Sequence, residues 1–238
     1  MKLRINTILL GVSMMLASSG CIKKDNYPGP NASLQGSLFQ DGTKNNIQTC
    51  SGNFNIRLEQ LNWSATPTPQ DIPVKVDGTY ENTELFSGHY RVSVKGGAFW
   101  PIAPVEMDIS QGTTHDFQLT PYLTINNLTH ALSGDTLTLG FTLVAPVDAG
   151  VPTIIDIQPY VNTTKIVGPG ASIFDFSDAN KLTLNKDWAN MSPADKSPQL
   201  MITNLIPGRT FFVRVGVRFN NDDKSSNLSE IIQIDVPK

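Results

Sequence analysis

Few residues in this 238-residue chain are of types that do chemistry, and their spacing does not favour catalysis. The three histidines, His89, His115 and His130, have no second ligand at helical or hairpin distance, so they predict no metal centre. His89 precedes Tyr90 on the outward phase of an alternating stretch, where a solvated ring is expected. Glycoside hydrolysis needs two carboxylates flanking one bond. Glu81 with Glu84, Asp175 with Asp178, and Asp222 with Asp223 are the available pairs, and each reads more simply as loop solvation. Asp222 and Asp223 could hold calcium with Asn220 or Asn221 and Asn227. Their spacing matches no EF-hand loop, however, and a hairpin turn uses the same residue types. No G-x-S-x-G, H-E-x-x-H, Walker loop or G-x-G-x-x-G is present. The expectation is a protein that is not an enzyme, with no cofactor and no metal.

Binding needs less. Aromatic faces on loops can stack on the apolar side of a sugar ring, and the three tryptophans fall outside the alternating stretches. Trp63 lies in a loop with Pro67 and Pro69, Trp100 follows Gly96-Gly97, and Trp188 sits in an irregular stretch. These three are the candidate ligand-binding residues. The competing role for each is a hydrophobic lid over the end of a sandwich.

The two cysteines divide differently. Lys2 and Arg4 open the chain, Ile5 to Ala17 is mostly apolar, and Ser18-Ser19-Gly20 leads into Cys21. A basic start, an apolar run and small residues are the layout of a secretory signal. The run is too short to span a hydrocarbon core of about 30 Å comfortably. Small residues directly before a cysteine resemble a bacterial lipobox, with Ser18 where leucine is usual. The resemblance implies cleavage after residue 20 and lipid attachment at Cys21. Cys50 is then left without a disulfide partner, and a plain small residue in a loop or core is expected there. Beyond residue 20 no apolar stretch is long enough for a transmembrane helix.

Residues 1–20 hold two basic residues and no acidic one, so the remaining 218 carry 16 basic against 21 acidic side chains, a net −5. Such a chain has no basic stripe with which to displace counterions, which argues against nucleic acid.

The positioning elements are strands. Cys21 to Asn31 reads as a tether, because Pro28-Gly29-Pro30 cannot hold a regular element. Period-two alternation marks Phe54 to Glu59, Tyr90 to Lys95, Val105 to Ile109 and, most clearly, Thr136 to Leu143. Leu123 to Ile125, Ile155 to Ile157 between Pro152 and Pro159, Leu200 to Ile206, and Ile231 to Val236 read as further strands. Phe211, Val213, Val215 and Val217 share one face of a strand, with Arg214 and Arg218 on the other. Between Gly168 and Pro198 the pattern loosens, with a helical turn expected near Ser177 to Lys181. The fold class is therefore all-β, with two tandem β-sandwich domains after a lipoprotein signal peptide. The expected divisions are 1–20 signal, 21–31 lipidated tether, 32–121 first sandwich and 122–238 second sandwich, with Pro121 at the boundary.

Gly36-Ser37-Leu38, Asp77-Gly78-Thr79-Tyr80, Leu85 to Val92 and Gln111-Gly112 with Phe117-Gln118-Leu119 resemble carboxypeptidase regulatory-like, transthyretin-like sandwiches. Leu205 to Phe211 resembles the corner before the penultimate strand of a fibronectin type III-like domain of the immunoglobulin class, with Phe211 where tyrosine is usual. Asp135-Thr136-Leu137 resembles a short bacterial O-glycosylation signal, which makes Thr136 a candidate attachment site. Together with the lipobox and the Lys24 to Asn31 tether, these features resemble a Bacteroidetes-type family of outer-membrane lipoproteins of unknown function.

That resemblance implies an accessory protein of an outer-membrane glycan or nutrient uptake system with SusC/SusD-type partners, acting by binding or scaffolding. The membrane would be engaged through the N-terminal lipid and glycan would be the ligand. Lys23-Lys24-Asp25 loosely resembles a surface-export signal, leaving the cell surface and the periplasmic face both open. A structural or adhesion subunit is the alternative role, and a hydrolase the third.

Overall fold

The structure is a computed structural model, and it describes residues 28–50 and 52–238. The signal-like segment, Cys21 and the tether up to residue 27 lie outside the described residues. The described chain has an all-β fold, in four sheets that enclose two main cores.

In the first sandwich one sheet joins β4 (Thr79–Leu85), β1 (Ala32–Gln40), β7 (Thr113–Thr114) and β8 (Phe117–Leu119). The facing sheet runs in the order β3 (Gln70–Pro73), β2 (Phe54–Gln60), β5 (Gly88–Gly96) and β6 (Val105–Ile109). The alternation predicts what is buried: Phe54, Ile56 and Leu58 from β2 meet Tyr90, Val92 and Val94 from β5 in the core. β1 changes its parallel partner midway, pairing Leu34 and Gln35 with β7, then Leu38 to Gln40 with β8. Gly36 marks the crossing. A Cβ there would sit 1.7 Å from the His115 carbonyl oxygen, to which the Tyr80 hydroxyl donates.

The second sandwich packs a sheet ordered β13 (Gln199–Ile202), β10 (Thr136–Val144) and β9 (Thr124–Ser133) on a larger one. The larger sheet runs β12 (Leu182–Lys186), β11 (Ile154–Asn162) and β14 (Thr210–Phe219), and both β15 (Ser226–Leu228) and β16 (Ile232–Asp235) pair with β14. Between β11 and β12 lie a helical turn α1 (Phe174–Ser177) and a 3-10 turn over Asp178–Asn180. A second turn, α2 (Pro193–Lys196), is closed by a capping box between Ser192 and Asp195.

Several details depart from the sequence pattern. Pro159 does not end its strand, because β11 continues to Asn162. The Val161 N–H turns away from β14 to Ser177 Oγ at 3.0 Å, and Pro159 shares that phase. The N–H that proline lacks would thus point where β14 is not. Leu182 to Lys186 forms a strand that the loosened pattern concealed, the helical turn begins three residues earlier than expected, and the strand at Leu200 stops at Ile202. Arg214, expected on an outer face, has no exposed surface.

The burial of Arg214 belongs to the joint between the sandwiches. The Gly97–Trp100 segment runs beside Thr120–Tyr122, with Trp100 N donating to Thr120 O at 2.8 Å and Tyr122 N to Ala98 O at 3.2 Å. Asn227 Nδ2 donates to Ala98 O at 2.7 Å and its Oδ1 accepts from Leu123 N at 2.9 Å. Ser225 Oγ donates to Gly97 O at 2.6 Å. Arg214 Nη1 reaches Thr49 O at 2.7 Å. A small third core of Cys50, Tyr160, Val167 and Leu228 fills the seam. Gly168 lies so close to Cys50 that a Cβ on it would be 2.8 Å from the cysteine Cβ.

Candidate functional site

The outer face of the β11–β14 pair carries a ladder of polar residues. Asp156 opposes Arg218, Gln158 opposes Gly216, and Tyr160 opposes Arg214. Gly216 is needed at the middle rung, since a Cβ there would fall 2.5 Å from the Tyr160 ring. Tyr160 can therefore lie across the sheet. Arg218 donates to both carboxylate oxygens of Asp156, from Nε to Oδ1 at 3.2 Å and from Nη2 to Oδ2. Asp156 is buried and its partner is partly open, and the pairing raises the Arg218 pKa. Burial pushes the Tyr160 hydroxyl up to about 12, opposed by a hydrogen bond with Ser226.

Gln158, Tyr160 and Arg218 of this ladder line a cavity of about 390 Å³. One wall is the Gly170–Asp178 segment and another is the Asp223–Ser226 turn, while Asn53 enters from the first sandwich. The short helix α1 divides two aromatics. Phe176 packs inward on Phe211 at 5.6 Å, edge to face, while Phe174 stands 68% exposed at the cavity rim. Asp178 at the rim is held by Lys181, with Nζ to its two oxygens at 3.0 and 3.1 Å. The Asn53 side-chain amide, Nδ2, is buried at this cavity with no hydrogen-bond partner among the described residues. Two flat amides, a guanidinium, carboxylates, hydroxyls, the Lys224 ammonium and one exposed aromatic face suit a polyhydroxylated ligand. Planar side chains bond adjacent hydroxyls in pairs, and the ring covers the C–H face. Of the nearby carboxylates, Asp156 and Asp178 are held in ion pairs, and Asp223 on the turn is exposed.

The tryptophans named from sequence do not converge here. Trp188 is a correction: it is 6% exposed, in the core of the second sandwich, with Nε1 donating to Asp148 Oδ1 at 2.7 Å and the Lys196 ammonium 4.2 Å from its ring. A ring covered on both sides cannot stack on a sugar. Trp100 is half-buried against the same core, edge-on to Tyr122 at 5.3 Å, with Nε1 buried and unpartnered. It is a packing residue of the joint. Trp63 alone is open, at 70% exposure. Thr136 starts β10, half-buried, with Oγ1 donating to Asp135 Oδ1 at 3.2 Å.

His89 bonds Asp108 through Nδ1 at 2.9 Å, and this contact raises its pKa, with Glu106 adding to the effect. Cys50 is a buried free thiol, pushed up by desolvation. Of the acidic pairs, Glu81, Glu84, Asp175, Asp222 and Asp223 are exposed. No cluster of three or more potential metal ligands occurs among the described residues. Sequence reading placed Arg214 and Arg218 on one face of their strand but missed the residues opposite them. The signal available was Asp156-x-Gln158-x-Tyr160, a polar period-two run beside a hydrophobic one.

Residues 32–120 match the family profile described as protein of unknown function (DUF3823) N-terminal domain. Among solved structures, a DUF3823 family protein from Bacteroides uniformis aligns over 87% of this chain and 100% of its own, with TM-score 0.77 and 22% identity. A candidate carbohydrate binding protein from the same organism aligns over 87% and 100%, with TM-score 0.71 and 20% identity. A DUF3823 family protein from Parabacteroides merdae aligns over the same shares, with TM-score 0.69 and 18% identity. No curated protein matches the chain. The first sandwich thus matches the DUF3823 N-terminal domain profile, and the described chain shares the all-β fold of DUF3823 proteins from Bacteroides.

Proposed function

We propose that this protein is a lipid-anchored, non-catalytic glycan-binding accessory of an outer-membrane nutrient uptake system, held at the membrane through Cys21 and working beside SusC/SusD-type partners. The observation that carries the binding role is the cavity at the joint, lined by the exposed Phe174 together with Arg218, Gln158 and the Asn53 amide, whose nitrogen is buried without a partner among the described residues. An aromatic of this size held exposed beside planar polar groups suits a sugar better than a wholly apolar ligand. The fold shared with a protein named for carbohydrate binding is in keeping with this reading. The lipid anchor is supported by the sequence before Cys21, and the uptake partners by the family resemblance.

The test is calorimetry against a panel of neutral oligosaccharides. We expect a ligand whose affinity falls at least tenfold in Phe174→Ala, with circular dichroism unchanged. Affinity that is equal in the variant, or no heat across the panel, would remove the cavity from consideration.

A further inference from the structure

A second concavity has the opposite chemistry. Where the chain enters the first sandwich, Pro28 and Gly29 form one wall of an open groove of about 800 Å³. The β2–β3 loop and the β4–β5 turn supply the others, and they hold Trp63 at 70% and Phe86 at 45% exposure. The entering chain is pinned to this groove. Asn31 N donates to Leu85 O at 2.9 Å, and Asn31 Oδ1 accepts from Ser87 N at 2.9 Å and Ser87 Oγ at 3.0 Å. Among the described residues, no ionisable side chain lines the groove. Its planar amides are Gln60 and Asn31, and the Asn31 oxygen is already engaged, so sugar hydroxyls find little to bond.

We infer that this groove is the face set against the lipid surface, with Trp63 and Phe86 seated among the phospholipid headgroups of the leaflet that holds the anchor. The inference rests on lipidation of Cys21. Pro28 follows Cys21 by seven residue steps, and even fully extended these reach only about 25 Å. The groove rim is therefore tied within that distance of the acyl chains. Lys23 and Lys24 in the tether favour an anionic headgroup layer. Indole, with an apolar body and one N–H, settles at the boundary between hydrocarbon and water. An uncharged lining enters that boundary without desolvating an ion.

The experiment uses the full lipidated protein in phosphatidylethanolamine–phosphatidylglycerol vesicles, with or without lipid brominated high on the acyl chain. Tryptophan emission is read for the wild type and for Trp63→Ala, the difference being the Trp63 contribution. We expect brominated lipid to cut that contribution at least twofold while the remaining emission, from Trp100 and Trp188, changes little. Protein that floats with the vesicles while Trp63 emission is equal in both lipids overturns the inference and leaves the anchor standing. Protein that does not float overturns the anchor, and the inference with it. A Trp63 change produced by oligosaccharide in place of lipid also overturns it.

Discussion

Arg214 is a buried cation answered by carbonyls instead of a carboxylate. Its Nε and Nη2 donate to Ser229 O at 3.0 and 2.6 Å, and Nη1 donates to Thr49 O at 2.7 Å. Weaker contacts at 3.4 Å reach Val167 O and Gln48 Oε1. Burial pulls its pKa down to about 10, so the side chain stays charged at neutral pH. Two of these acceptors, Thr49 and Gln48, belong to the other sandwich, which makes one side chain a clasp across the joint. Arg214→Met keeps the length and the apolar stem but leaves buried carbonyls without donors, each worth about 1–3 kcal/mol. We expect a loss of roughly 3 kcal/mol, read as a lower midpoint in urea with the slope little changed. An unchanged midpoint would mean that the carbonyls find other donors. The strand pattern around Arg214 promised an outer face, and nothing local says otherwise, because its key partner lies 165 residues away in the chain.

At the scale of elements, legibility follows how local the cause is. The β10 run Leu137, Leu139, Phe141 and Leu143 alternates cleanly because one face meets core and the other meets water, a difference each residue states for itself. Strand β12 is five residues alternating between half-buried and exposed, too short and too mild to stand out. Pro159 sits inside β11 because the ladder on one side has ended, which depends on where β12 begins. The candidate cavity was illegible for the same reason: Phe174 matters only once Phe176 has fixed the direction of its turn. The partner exchange of β1 gives a sharper test. Gly36→Ala would drive a methyl into the backbone at His115, not into a side chain that can swing away. We expect at least about 2 kcal/mol of destabilisation, in the upper part of the range for overpacking. Gly112→Ala is no neutral control, since its φ of 78° is strained. The comparison is Gln35→Ala, whose thermal midpoint should move far less; equal shifts would refute the crossing as the cause.

For the whole molecule, the joint decides what kind of object this is. Two cores connected by a bare linker would tumble separately. Here Asn227, Ser225 and Arg214 bond backbone of the first sandwich from the second, and a small apolar cluster closes the seam. The cavity draws on both sides of that seam through Asn53, so its shape depends on the two halves keeping their pose. The contact of Cys50 with Gly168 turns this into something measurable in time. The thiol is sealed while the seam is shut, so a small alkylating reagent can reach it only during openings, and the labelling rate becomes a clock for them. Arg214 lowers the Cys50 pKa against the larger effect of burial, so its removal makes the closed-state thiol less reactive. Labelling that nevertheless runs more than tenfold faster in Arg214→Met would report opening alone, and slower labelling would mean that the clasp does not set how often the halves part.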